Sequence, residues 1–249
     1  MTRAGAVCLV FVACGAVLLR AADVSDRVTR TVPLGVGRPI RVDATVGDVT
    51  VVGSNRPDVA VEIVRRAPSA EGLAKFPVVV DDSGDALRIG AAQLAEGRDA
   101  SLVSTIVIRA PAAATFQSIR VFEGRLRVSG LTGACDADVR RGSIEASAIA
   151  GRVRLESGIG GVDVKDATLT PGGMLRLRVF NGALRVRFAR VPVNARILAV
   201  TLNGQIASDI PLTMKDQFGP RFGETTLGSG EPVMSLDVVK GDISISVAR

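Results

Sequence analysis

The 249 residues carry 31 Lys and Arg against 25 Asp and Glu, a net charge of +6, and 47% are apolar. That mixture folds rather than stays disordered, and so mild a surplus of positive charge names no partner. There is no His, Trp or Tyr, which removes Ser-His-Asp and Cys-His catalysis, histidine metal sites, and the Trp and Tyr platforms on which sugars and bases commonly stack.

In chain order, Arg3, the apolar run Ala4 to Leu19 and the small residues around Ala21-Ala22 read as an export signal over residues 1–21. The run of 16 residues is short for a membrane span of about 20. Leu19 three residues before the cut leaves other positions between Ala16 and Ala22 open, and Phe11-Val12-Ala13-Cys14 offers a lipoprotein-like alternative in which Cys14 carries a lipid anchor. Cleavage after Ala21 leaves Cys135 alone, so the mature chain has no internal disulfide. With no histidine to activate it, Cys135 reads as a small buried hydrophobe.

Arg27 to Pro33 starts a first strand or arm, and Ile40, Val42 and Ala44 alternate. A glycine-led unit follows at Gly47, a turn at 54–58, and alternation resumes at Val59, Val61 and Ile63. The pattern lapses from Arg65 to Lys75, where Ala67-Pro68-Ser69 reads as loop. Phe76 to Val80 fits a fully buried strand. Asp81-Asp82-Ser83-Gly84-Asp85 is a hairpin turn, because it lacks the alternate ligands and distant Glu of a calcium loop. Leu87 and Ile89 make the return strand, Ala91 to Ala100 holds one helical turn, and Leu102 to Ala110 is the most apolar strand, ended by Pro111.

From Val121 to Ala167 one unit dominates. Gly124, Gly133, Gly142, Gly151 and Gly160 are nine residues apart, each followed two and four positions later by apolar residues. Period two makes a strand with one inward face, and glycine turns the corner before it. Two units make one coil of eighteen residues, predicting ladders of Leu126, Ile144 and Val162 and of Val128, Ala146 and Val164. Outward, Arg127, Glu145 and Asp163 would align, as would Asp136 and Arg154; such cross-strand pairs contribute about 0.2–1 kcal/mol each. The expected fold is all-β, a right-handed β-solenoid of stacked short strands; the same spacing also fits the hairpins of a β-sandwich. The step breaks at Thr168, with a corner at Thr170-Pro171-Gly172-Gly173. It returns at Asn181-Gly182 and at Asn203-Gly204, a step of 22 that implies a wider coil. Pro211 to Glu224 reads as an irregular loop, and Lys240-Gly241-Asp242-Ile243 opens the last strand. No linker divides the chain, so residues 22–249 are expected to form a single domain.

The Asn-Gly and Lys-Gly steps at Asn181, Asn203 and Lys240, the Gly228-Ser229-Gly230 turn and the signal together make the chain resemble the bacterial putative adhesin family, over about Ile40 to Val247. The resemblance implies a right-handed solenoid, a cell-envelope location and no catalytic residues. The segment from Arg65 to Ala100 is less repeat-like than that family's core.

The clearest candidate site is a run of charge. Between Asp166 and Asp209 there is no acid, while Arg176, Arg178, Arg185, Arg187, Arg190 and Arg196 fall there. Arg176 with Arg178 flanks inward Leu177, and Arg185 with Arg187 flanks Val186, so the stacked strands would form an arginine patch suited to an anionic glycan, a lipid headgroup or an envelope protein. The opposing explanation is a solvated face that keeps strands from aggregating. Gly35-Val36-Gly37 and Gly158-Ile159-Gly160-Gly161 open no helix, so nucleotide binding is not expected, and the missing aromatics argue against nucleic acid. Glu145, Glu156 and Asp163 point outward, with arginines nearby to explain them. The expected function is a noncatalytic envelope module needing no cofactor and no metal. The alternatives are a carbohydrate-active enzyme, which clustered acids in a groove with a raised pKa would favour, and a carrier or sensor with a ligand between two halves.

Overall fold

The computed structural model describes residues 23–91, 101–215 and 219–248. The expected signal at 1–21, the lipid site at Cys14 and most of the helical turn at 91–100 lie outside the described residues. Among the described residues the chain is all-β apart from one short helix. Its elements begin with β1 (Val24–Pro33), β2 (Ile40–Val46), β3 (Val49–Ser54), β4 (Asp58–Ala67), α1 (Ala70–Lys75), β5 (Val78–Asp81), β6 (Leu87–Ala91) and β7 (Val103–Pro111). The regular stretch gives β8 (Phe116–Glu123), β9 (Leu126–Ser129), β10 (Cys135–Arg141), β11 (Ile144–Ser147), β12 (Arg152–Ile159), β13 (Val162–Lys165), β14 (Met174–Asn181) and β15 (Leu184–Phe188). The remainder is β16 (Ala195–Asn203), β17 (Ile206–Ser208), β18 (Thr213–Lys215), β19 (Arg221–Leu227), β20 (Val233–Lys240) and β21 (Ile243–Val247).

These strands build two large mixed sheets. The first runs β1-β4-β7-β3-β9-β11-β13-β15-β21-β17, the second β18-β19-β16-β20-β14-β12-β10-β8-β2-β6-β5. From β8 to β15 successive strands alternate between the sheets, and each pairs in parallel with the strand one coil away. Ile144 stands between Leu126 and Val162, and Ala146 between Val128 and Val164, as the eighteen-residue step predicts. Arg127, Glu145 and Asp163 align on the outside, as do Asp136 and Arg154. Inward Val, Ile and Leu from both sheets merge into one core that runs from Val32 to Ile245. Each such side chain contributes about 1.5–3 kcal/mol by leaving water.

One corner is a column of glycines. Gly142 has φ +137°, and a Cβ there would lie 1.7 Å from the Gly124 carbonyl oxygen; the same contact links Gly160 to Gly142 and Gly182 to Gly160. Successive corners thus stack backbone on backbone, where no side chain fits.

The stacking order is not the chain order at either end. The β20/β21 pair inserts between β14/β15 and β16/β17, pairing in parallel with both neighbours. The step of 22 therefore skips a level that later residues fill, instead of widening the coil. At the other end β2/β3 lies between β6/β7 and β8/β9.

Three further expectations are corrected. The stretch from Arg65 to Lys75 where the pattern lapses holds the end of β4, a connection at Pro68 and Ser69 within the loop read at 67–69, and then α1, whose first turn is capped where Gly72 N–H donates to Ser69 Oγ at 3.2 Å; six residues are too few to display a helical period. The strand in Phe76 to Val80 is only half-buried, because β5 is the edge of its sheet. The supposed loop at Pro211 to Glu224 contains β18 and part of β19, an antiparallel pair whose β18 side chains are all exposed, which leaves no apolar alternation to read.

Candidate functional site

Two outer faces carry the chemistry. On the second sheet, inward Ala137, Leu155 and Leu177 are flanked on the outside by rows of charge. One row is Asp136, Arg154, Arg176 and Ser235; the next is Arg120, Asp138, Glu156, Arg178 and Asp237. Arg154 bridges Asp136 at 3.5 Å and Glu156 at 3.1 Å. Partial burial, and then the neighbouring Glu156, push the Asp138 carboxyl above its ordinary range, against the opposing pull of Arg140, Arg120 and Arg154.

One position further along the strands, Phe122, Arg140, Gly158 and Phe180 occupy successive outward positions, by continuity with the Val121, Val139, Ser157 and Val179 register. Gly158 has no side chain and both flanking positions do, so a groove of about 400 Å³ opens over it, rimmed by Asp138, Glu156, Arg140 and Arg141. The Arg178 guanidinium lies 4.7 Å from the Phe180 ring centre. A second groove of about 310 Å³, lined by Gln117, Arg120, Asp136 and Arg154, shares Asp138 and Glu156 with the first.

On the first sheet the outward rows are Arg127, Glu145, Asp163, Arg185 and Ser244, then Ser129, Ser147, Lys165, Arg187 and Ser246. Arg127 bridges Glu145 at 3.3 Å and Asp48 at 3.7 Å. Beyond Asp163 the surface is basic and hydroxylic: Lys165 and Arg187 stand opposite one another, with Arg185 on the same strand.

The four arginines singled out in the sequence are therefore not one patch. Arg176 and Arg178 lie on β14 in the second sheet, Arg185 and Arg187 on β15 in the first, so the pairs face away from each other across the core. Among the described residues no carboxylate lies within 4.0 Å of any of the four. The neighbouring strands treat them differently: Arg178 stands between Glu156 and Asp237, whereas Arg187 stands between Lys165 and Ser246. Lys165, Asp138 and Phe180 were missed in the sequence; the register that places Glu145 beside Asp163 would have found Lys165, and the one that places Asp136 beside Arg154 would have found Asp138.

The remaining candidates resolve locally. Burial, then Asp136, pushes the Cys135 thiol up to about 12, that of an inert core residue. Asp81 accepts from the Ser83 amide and hydroxyl at 2.9 and 2.6 Å, which closes the expected hairpin between β5 and β6. Loops around Asp166, Arg190 and Glu231 border a cavity of about 460 Å³ at one corner, with Phe188 among its lining residues. Among the described residues no three His, Cys, Asp or Glu side chains gather to hold a metal, and no helix is long and apolar enough to cross a membrane.

No family model matches the sequence, and comparison with curated proteins gives no match. Solved structures do resemble it. A putative cell adhesion protein from Clostridium sporogenes superposes with a TM-score of 0.52 at 12% identity, over 90% of this chain and 100% of that one. A putative adhesin from Bacteroides fragilis gives 0.44 at 16% identity, over 90% and 97%. A putative lipid binding protein from Parabacteroides distasonis gives 0.32 at 12%, over 90% and 97%. The resemblance to bacterial putative adhesins read from the sequence is thus borne out in the fold, which this chain shares with the clostridial protein.

Proposed function

We propose that this chain is an exported, noncatalytic interaction module of the bacterial cell envelope, a single right-handed β-solenoid domain over residues 22–249 behind a signal at 1–21. The alternation of parallel strands between two sheets, one coil apart, supports the solenoid. Its stiff core displays a fixed array of outward groups. The observation that carries the binding role is the pair Lys165 and Arg187, two exposed cations in direct register whose other neighbours are Ser147 and Ser246, with Arg185 on the same face beside Asp163. Guanidinium groups so placed bind phosphate, sulfate or carboxylate bidentately, so the ligand is an anionic glycan or a lipid headgroup. Arg176 and Arg178 are the weaker anion partners, since Glu156 and Asp237 stand beside Arg178.

The test is co-sedimentation at low salt with vesicles containing phosphatidylglycerol and, separately, affinity electrophoresis in an acidic polysaccharide. The variant Lys165→Gln/Arg185→Gln/Arg187→Gln should lose binding to at least one of them, while Arg176→Gln/Arg178→Gln keeps most of it. Equal binding by the wild type and the triple variant overturns the reading.

The second reading, a carbohydrate-active enzyme, draws on one observation: Asp138 and Glu156 are adjacent acids lining a groove, and Asp138 is shifted up. Two adjacent carboxyl groups in a groove, one of them with its pKa raised by its surroundings, are the pairing that glycoside hydrolysis uses. Release of reducing ends from polysaccharides that Asp138→Asn abolishes would establish it.

A further inference from the structure

The outer face of the second sheet carries a feature that anion binding on the first sheet does not explain. Along most of its length this face is charged, but at one end apolar surface stands in water: Phe180 is 40% exposed and Ile159 56%. Both line the groove whose floor is Gly158. A Cβ at Gly158 would lie 2.5 Å from the Arg140 carbonyl oxygen, so the hollow is fixed by close backbone contact and not by a rotatable side chain.

We propose that this groove binds a pyranose ring of a neutral glycan. The aromatic and aliphatic surface of Phe180 and Ile159 suits the apolar C–H face of a sugar ring, and at about 400 Å³ the hollow lies within the range of small-ligand clefts, about 300–1,000 Å³. The rim selects the charge class. Asp138 and Glu156 only accept hydrogen bonds when ionised, while Arg140 and Arg141 only donate. A polyanion meets the two carboxylates, and a polycation meets the two guanidinium groups. A hydroxyl both donates and accepts, so a polyhydroxylated neutral ligand finds a partner on each side. Among the described residues Asp138 makes no ion pair, which leaves its oxygens free to accept, whereas Glu156 is oriented by Arg154 at 3.1 Å.

The site is longer than one ring. The adjoining groove of about 310 Å³ continues from Asp138 and Glu156 toward Gln117 and Asp136, repeating the mixture of donors and acceptors. Two contiguous hollows that share their acids fit an oligosaccharide lying across the parallel strands.

Isothermal titration of the full chain with cellohexaose, chitohexaose and mannohexaose tests this. At least one should bind the wild type. Phe180→Ala should weaken that binding by about tenfold, the loss of about 1.4 kcal/mol of aromatic contact, and Phe180→Trp should restore or exceed the wild-type affinity. Because residue 180 is exposed, both variants should melt with the wild type. Arg185→Gln/Arg187→Gln should leave glycan binding unchanged, so anion binding and glycan binding can fail separately. No binding of any of the three sugars by the wild type, or binding unaffected by Phe180→Ala, overturns the proposal.

Discussion

Asp138 on β10 and Glu156 on β12 stand directly opposite one another in parallel register, two like charges on one exposed sheet face. Partial burial raises the Asp138 pKa above the ordinary 3.8, and Glu156 raises it further. A raised folded-state pKa favours the protonated form, so this residue's contribution is present below the ordinary carboxylate range and is lost as pH rises through the folded value. Asp138→Asn should therefore raise the melting temperature at pH 7 and change it little at pH 3. The effect should stay under about 1 kcal/mol, since water screens an exposed carboxyl. Melting curves of both proteins from pH 3 to 7 check this, and a variant less stable than wild type at pH 7 contradicts it.

The corner and the core should both lose stability, the one to an added methyl group and the other to three carbons removed. Gly142→Ala places a Cβ against the Gly124 carbonyl and demands φ +137° of a residue that avoids it, so more than about 2 kcal/mol should be lost, strain alone costing about 1–3. Ile144→Ala empties part of the ladder between Leu126 and Val162 and should cost about 2–5 kcal/mol. Equilibrium unfolding in urea measures both. A near-neutral Gly142→Ala would mean that the corners do not stack as described.

Arg65 is the one charged residue at an inward position of β4, only 5% exposed. Its guanidinium binds Asp26 through both carboxylate oxygens and donates to the Leu73 and Phe76 carbonyls, pinning the end of α1 to β1 and β4. Arg65→Ala strands two carbonyls and a carboxylate, and should cost about 3–5 kcal/mol. Asp26→Asn, which leaves a neutral acceptor in place, should cost less. Urea unfolding ranks the two, and limited proteolysis should cut first near residues 70–76 in Arg65→Ala.

Cys135 should resist alkylation. With its thiol at about 12, the reactive thiolate is scarce at pH 8, and the side chain is 3% exposed. Iodoacetamide at pH 8 should leave the peptide containing residue 135 unmodified in the native protein and label it fully in urea, as peptide masses will tell. Rapid native labelling would place this thiol outside the core.

How far the sequence could be read follows from how locally each feature is determined. The ladder of Leu126, Ile144 and Val162 was legible because period two and step eighteen are both local, and the register then followed from the glycine corners. Arg65 hid the end of β4 because an inward charge breaks the alternation, and its partner Asp26 lies 39 residues away in the chain. The two arginine pairs were placed on one surface because the reading did not carry through that neighbouring strands alternate between sheets. Phe180 went unnoticed, and Gly158 was weighed only as part of a phosphate loop, because a groove arises from what three adjacent strands lack and present together.

The β20/β21 level is synthesised after the β16/β17 level from which it separates β14/β15. From β8 to β15 each new strand can pair in parallel with one already made. The β16/β17 level has no parallel partner until residues 233–247 are made, because β20 and β21 supply it. Completion of this fold is therefore tied to its latest segment, and a chain that lacks it leaves the edges of β14 and β15 open for another strand to pair with.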